Sequence, residues 1–263
     1  MRIAVISPHT VKTGKTTLSM LLGLELAKTS KKVCMCHTDP ISESTFAYLG
    51  LSSFADKTSS PSQIVKMLRE GDIDKSSCSD YCKTVNNNFE VFTNKSTNFT
   101  DDDMQYMLNY IVKEFPHEHV VVDMDTNDMK FNKAIIKNCD VVLLCITQSI
   151  KEAIEFKEMR EEIAQFTEGK PIVTVVNKYN SSKGSLQELA RAMGLRKPNN
   201  WLVLHENPWI CWGTNHGKIE TVFRLLTKKD PRVIELNTEL NKIVVTLLRA
   251  KSTKDKKKVG ARR

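Results

Sequence analysis

Three consecutive residues, Gly14-Lys15-Thr16, have the types needed to hold a phosphate. A glycine lets the backbone approach an anion closely, and the amides that open a helix face it with positive charge. A lysine can reach outer phosphates, and a threonine hydroxyl can ligate Mg²⁺. The triplet lies in "ISPHTVKTGKTTLSMLLGLELAK", after a short apolar run and before an apolar stretch with helical spacing. Alone, G-K-T carries little information. Between a strand and a helix it predicts a phosphate-binding loop over Pro8–Thr16, with Thr13 and Gly14 offering backbone to the phosphates. The loop pattern G-x-x-x-x-G-K-[ST] has glycine where this chain has His9, so the first half departs from it.

Other candidate residues stand where further apolar runs end. Asp39 follows "KKVCMCHT", and Asp123 follows "HVVV", placed to hold the water shell of a bound magnesium. Asn177-Lys178 closes "PIVTVVNK" and suits the reading of a base edge by a side-chain amide. Taken singly, each could instead be a helix cap or a polar turn. Together they supply Lys-Thr, two carboxylates and an amide from four strand ends.

The elements that must position them alternate. Strands are expected at Arg2–Ser7, Lys32–His37, Glu90–Phe92, His119–Val122, Val141–Thr147, Ile172–Val176 and Trp201–Leu204. Their apolar residues are consecutive rather than alternating, as expected when both sheet faces are covered. Helical spacing joins Leu18, Leu21, Leu22 and Leu26, and an acidic first turn at Asp101-Asp102-Asp103 opens a helix ending before Pro116. Further helices are expected at Ile150–Phe166, Ser185–Met193, Ile219–Leu226 and Pro231–Arg249. The alternation predicts an α/β fold, doubly wound, with a mostly parallel sheet and helices on both faces. In such a sheet the ligand crevice lies beyond the carboxyl ends of the strands, where the candidates sit.

Charge is unevenly spread. The chain carries +8 over 263 residues, and "KSTKDKKKVGARR", residues 251–263, holds seven Lys or Arg against one Asp. That segment lacks apolar periodicity and is read as a basic, disordered tail on one domain, residues 1–250. No apolar run approaches the ~18 residues of a membrane helix, and the start is too short and broken for a signal peptide. Seven cysteines without framework spacing suit a reducing, cytoplasmic setting, and no zinc site is predicted from their arrangement. His117 and His119 are expected in solvated or capping roles. Trp209 and Trp212 are expected to pack a loop against the sheet edge.

Over about 230 residues the motifs resemble the ParA/MinD family of deviant Walker A (P-loop) ATPases. "KKVCMCHTDPISESTFAYLGL" resembles its second strand with D-x-D-P-Q, "HVVVDMDTN" its Walker B segment, and "PIVTVVNKYN" its base-reading strand with an Asn-Lys/Arg pair. "HENPWICWGTNHGK" resembles the late loop flanking the adenine. The resemblance implies that two subunits sandwich two ATPs, associate with a surface in that form, and leave it after hydrolysis. It implies ATP and Mg²⁺ as cofactors, with Lys15 and Thr16 on phosphate and magnesium and Thr17 on the inner phosphate. It also implies Asp39 positioning the attacking water, Asp123 on the magnesium shell through water, and Asn177, Lys178 and Pro208 around the adenine.

Family members usually read K-G-G-x-G-K-[ST], with a signature lysine reaching the partner's active site. Here that lysine and the two glycines are Thr10, Val11 and Lys12, so Lys12 is the candidate to supply the missing charge. His37 replaces the first Asp of D-x-D-P, Ile41 the Gln, and Asp125 the usual Pro of Walker B. These departures predict nucleotide binding with weak hydrolysis.

The leading functional expectation is an ATP-binding, dimerising switch that positions DNA or a cell-pole, division or secretion complex through an adaptor or activator protein. The basic tail is expected to contact DNA non-specifically. A membrane surface is the weaker partner, because no apolar anchor accompanies the charges. The alternatives are a binding-only scaffold of a pilus, secretion or conjugation system, and a ligase of the dethiobiotin synthetase type.

Overall fold

Consecutive Val, Ile and Leu side chains, several branched at Cβ, favour extended backbone buried on both faces. In a computed structural model of the chain, these runs become the centre of an eight-stranded sheet. The structure describes all residues except 9–12, 30, 39–43, 51–60, 74–76, 78–79, 93–100, 126–128, 168, 199 and 261–263. Lys12 and Asp39, with Thr10, Val11 and Ile41, therefore lie outside the described residues.

The elements run β1 (Arg2–Ile6), α1 (Lys15–Ala27), β2 (Val33–His37), α2 (Ser44–Leu49), α3 (Pro61–Glu70), β3 (Lys83–Asn86) and β4 (Phe89–Val91). There follow α4 (Asp101–Glu114), β5 (His119–Asp123), α5 (Met129–Ile136), β6 (Val141–Ile146), α6 (Ile150–Thr167), β7 (Ile172–Tyr179) and α7 (Leu186–Ala192). The chain closes with β8 (Leu202–His205), α8 (Pro208–Asn215), α9 (Ile219–Thr227) and α10 (Ile234–Gly260). Strand order is β3-β4-β2-β5-β1-β6-β7-β8, parallel throughout except for the β3–β4 pair.

Alternate strand residues feed two cores. Ile3 and Val5 pack with Leu18, Leu22, Leu240 and Ile243 from α1 and α10 on one face. Ala4 and Ile6 pack with Leu108, Ile111, Ile135 and Phe156 from α4, α5 and α6 on the other. Each fully buried Leu, Ile or Phe contributes roughly 1.5–3 kcal/mol of transfer free energy. Register then aligns the site: Val5 and His37 both sit opposite Asp123, so β1, β2 and β5 end at one level.

Several elements differ from the sequence expectation. The β3 edge strand was not expected, since "KTVN" is short, only partly buried and broken by a register shift at Thr84/Asn86. Trp209 and Trp212 lie on helix α8 rather than in a loop; Asn207 caps it by accepting from Trp209 N–H, and Pro208 takes its first turn. Residues read as an unstructured tail continue α10 to Gly260. Lys and Arg are good helix formers and sit favourably at the negative end of the helix dipole. Lys251 Nζ also lies 3.3 Å from Asp140 Oδ2, which accepts from Arg2 N–H at 2.8 Å.

His117 and His119 are buried, not solvated. His117 Nε2 meets Glu90 Oε2 at 2.7 Å. Burial pushes the His119 pKa down from 6.5 to about 4, with the amino terminus and Lys31 acting in the same direction. The unfolded chain takes up this proton near pH 6.5 and the folded chain only near pH 4. Stability is therefore expected to fall as pH drops through that window. Urea unfolding at pH 7 and pH 5 checks this: His119→Gln should lose less stability between them than the wild type. An equal loss would place the acid sensitivity elsewhere.

Candidate functional site

A cleft of about 640 Å³ opens at the carboxyl ends of the parallel strands. Gly14 enters it in the left-handed region, φ 80°, and caps α1 without a side-chain bond. The first hydrogen bond of the helix is Leu18 N–H to Gly14 carbonyl, 2.9 Å. The amides of Lys15, Thr16 and Thr17 thus have no acceptor within the helix and present its positive end to the cleft. All three residues line it.

Thr16 Oγ1 donates to Asp123 Oδ2 at 2.6 Å, joining the start of α1 to the end of β5. A hydroxyl and a carboxylate held together beside a lysine are a hard-oxygen pair suited to Mg²⁺ on a phosphate chain. Thr38 Oγ1 accepts from Asp125 N–H at 2.6 Å, and Thr38 N–H donates to the Asp123 carbonyl, fixing β2 against β5 beyond their strands. His37 is buried and lines the cleft.

The Gly14 loop is braced from beneath. The Thr13 carbonyl accepts from Asn177 Nδ2 at 2.8 Å, and the Cys145 thiol lies 3.6 Å from the same oxygen. Burial pushes that thiol up to about 12, so it stays protonated and serves as a weak donor. The strand register shifts between Asn177 and Tyr179, and Lys178 adopts φ 52°. A bulge of this kind re-aims a side chain, and here it turns Asn177 beneath the loop. Asn177 therefore holds the loop in place, a role its position at a strand end did not reveal.

Two helices form the walls on the other side. Ser44, Thr45 and Tyr48 come from α2; Ile210, Cys211, Thr214 and Asn215 come from α8, with Asn207 before it. Pro208 is exposed at the start of α8 and is not among the lining residues. The walls are joined where Gly50, after α2, meets Gly217, after α8. A Cβ on Gly217 would lie 2.6 Å from the Ala47 carbonyl oxygen. None of the α2 residues carried a sequence signal, because their place depends on this packing. The Asn207-Pro208 pair is a helix-start signal that does point to α8.

The profile of the CobQ/CobB/MinD/ParA nucleotide binding domain matches residues 4–209. The chain belongs to this family. Its nucleotide-binding name agrees with the uncapped α1 start, the buried Lys15 and the Thr16–Asp123 pair. No curated protein matches the sequence. Among solved structures the chain is similar to a ParA family ATPase from Chlorobium tepidum TLS, with TM-score 0.70, 13% identity, and 94% and 97% of the two chains covered. It is also similar to MinD in the MinC:MinD complex of Aquifex aeolicus, with TM-score 0.67, 16% identity and coverage of 94% and 95%. MinD of Pyrococcus horikoshii OT3, solved with Mg-ADP, gives TM-score 0.65, 15% identity and coverage of 92% and 93%. At these identities the likeness establishes the shared fold. Among the described residues, no helix is long and apolar enough to cross a membrane.

Proposed function

We propose that this chain is an ATP-dependent switch that pairs with a second copy when ATP and magnesium are bound and parts after slow hydrolysis. The observation that carries the reading is the Thr16 hydroxyl on the Asp123 carboxylate beside Lys15, at the uncapped start of α1. Magnesium, when bound, neutralises charge on the phosphate oxygens. Thr13, Gly14, Lys15, Thr16 and Thr17 hold the phosphates, and Asp123 orients magnesium-bound water. Lys178 and Asn177 border the base, Asn177 from its anchored position on Thr13, while Pro208 acts only by starting α8. Lys12 and Asp39 keep the roles that the family motifs imply, charge across the interface and orientation of the attacking water.

The cargo is DNA or a protein complex. The Aquifex aeolicus MinD forms a complex with MinC, which supports an adaptor as a partner here. Non-specific DNA contact falls to the end of α10 and the residues after it, where Lys254, Lys256, Lys257, Lys258, Arg262 and Arg263 cluster. Pairing doubles these arms, so modest affinity per arm becomes useful avidity.

Light scattering and DNA binding test this together. ATP should double the mass in solution and tighten DNA binding relative to ADP. Raising salt should weaken that binding, with a log–log slope of about −0.9 for each phosphate neutralised. Ending the chain at Ser252 keeps Lys251 on Asp140 and should abolish DNA binding while leaving pairing intact. An unchanged mass with ATP rejects the switch, and full binding by the shortened chain moves the DNA contact to the folded body. A scaffold without turnover is the second reading, favoured by the buried His37 at the strand end where family members carry an acid. ATP-dependent pairing with no phosphate release above buffer would select it.

A further inference from the structure

Outside the phosphate end of the cleft, two carboxylates and an imidazole converge without an evident structural need for all three. Glu235 and Glu239 stand four residues apart on α10, so they project from the same face. His205 closes β8 opposite them and lines the rim of the cleft. Its Nδ1 hydrogen-bonds with Glu239 Oε1 and lies 4.0 Å from Glu235 Oε1. One ligand atom from each of the three falls within 4.8 Å of the others. We propose that His205, Glu235 and Glu239 form a site for a divalent transition metal of the Zn²⁺ class, separate from the magnesium position at Thr16 and Asp123.

The chemistry of the donor set favours this class. One imidazole nitrogen with two carboxylates suits zinc and its neighbours, whereas Mg²⁺ prefers an all-oxygen shell with several waters. Ligands about 2.0–2.2 Å from a tetrahedral zinc stand roughly 3.3–3.6 Å apart, so an ion entering the site opens the hydrogen-bonded Nδ1–Glu239 pair and needs a small closure by Glu235. The Glu235 side chain is 76% exposed and can rotate to supply it. The other two are held from behind. The second oxygen of Glu239 accepts from His205 N–H at 3.0 Å, and Tyr179 packs edge-on against the imidazole, 5.2 Å between centroids. Such supporting contacts orient metal ligands. A plain His205–Glu239 ion pair explains one carboxylate; the second, facing the same nitrogen one helical turn away, is what a metal would use.

A metal takes the place of any proton on Nδ1, which leaves to solvent, so affinity should weaken as the pH is lowered. Three protein ligands leave a fourth position for water. The metal would pin the end of β8, just before α8, to the helix that carries the basic extension.

The test uses the full, nucleotide-free chain with excess Mg²⁺, titrated with ZnCl₂ by calorimetry and with CoCl₂ by visible absorption. One Zn²⁺ per chain should bind despite the magnesium, and Co²⁺ should give a ligand-field band without thiolate charge transfer. Glu235→Gln is decisive, because that side chain is exposed and the substitution keeps its size. It and His205→Ala should weaken Zn²⁺ by more than the ~10–100-fold that a mere supporting contact is worth. Cys211→Ser, which removes the exposed cleft thiol, should change nothing. Wild-type affinity in Glu235→Gln, a thiolate band lost in Cys211→Ser, or no binding by the wild type would each overturn the proposal.

Discussion

Lys15→Ala is expected to lower ATP and ADP affinity by about 100-fold or more while leaving the fold intact. A hydrogen bond to a charged group contributes roughly 1.5–3 kcal/mol, and a lysine spanning two phosphates makes two of them. The same lysine is poorly placed for stability. It stands at the first position of α1, where the helix dipole favours anions over cations by about 0.3–1 kcal/mol. Removing it relieves that repulsion and forfeits the packing of its buried stem, two effects of opposite sign. The melting temperature should therefore stay within a few degrees of the wild type, at roughly 2–4 °C per kcal/mol for a chain of this size. Calorimetry with both nucleotides decides it. Unchanged affinity in a folded Lys15→Ala chain would remove the phosphate-binding role from the loop.

The part of the site legible in the sequence is the part made by strand ends. Gly14, Lys15, Thr16 and Asp123 each follow a buried apolar run, and parallel strands of matched register must deliver them to one edge. What was not legible depends on how separate segments meet. Cys145 reads as one more core residue in "VVLLCI", yet its thiol faces the Thr13 carbonyl. Ser44, Thr45 and Tyr48 lie beyond the residues of the D-x-D-P-Q-like motif, and they reach the cleft because α2 leans on the turn after α8. The fold shows the same division. The central strands announce themselves by branched apolar runs, whereas β3 is an edge ribbon. Its turn depends on Asn86 Oδ1 accepting from the Asn88 and Phe89 amides at 3.0 and 2.9 Å. The basic stretch after Arg249 lacks the apolar stripe that signals a packed helix. Propensity and the Lys251–Asp140 contact carry the helix onward without it.

Gly217→Ala is expected to damage both stability and nucleotide affinity, because one backbone contact sets the width of the cleft. Gly217 has φ 61° and Gly50 φ 64°, and each leans on the other's main chain. A Cβ on Gly217 would sit 2.6 Å from the Ala47 carbonyl and 3.2 Å from Gly50 Cα, neither of which can rotate aside. The backbone strain of a left-handed alanine costs about 1–2 kcal/mol by itself. Forcing extra volume between packed segments adds roughly 1–3 kcal/mol. Gly71 separates the two costs: it has φ 78° with nothing within 4 Å of the added carbon, so Gly71→Ala should show the strain alone. The difference between the two variants measures the clash. If the clash pushes α2 away from α8, the walls that carry Tyr48 and Ile210 part, and ATP should bind several-fold more weakly to Gly217→Ala than to Gly71→Ala. Equal unfolding free energies for the two variants, with equal ATP affinity, would mean that the Gly50–Gly217 contact yields easily and that something else holds the cleft's width.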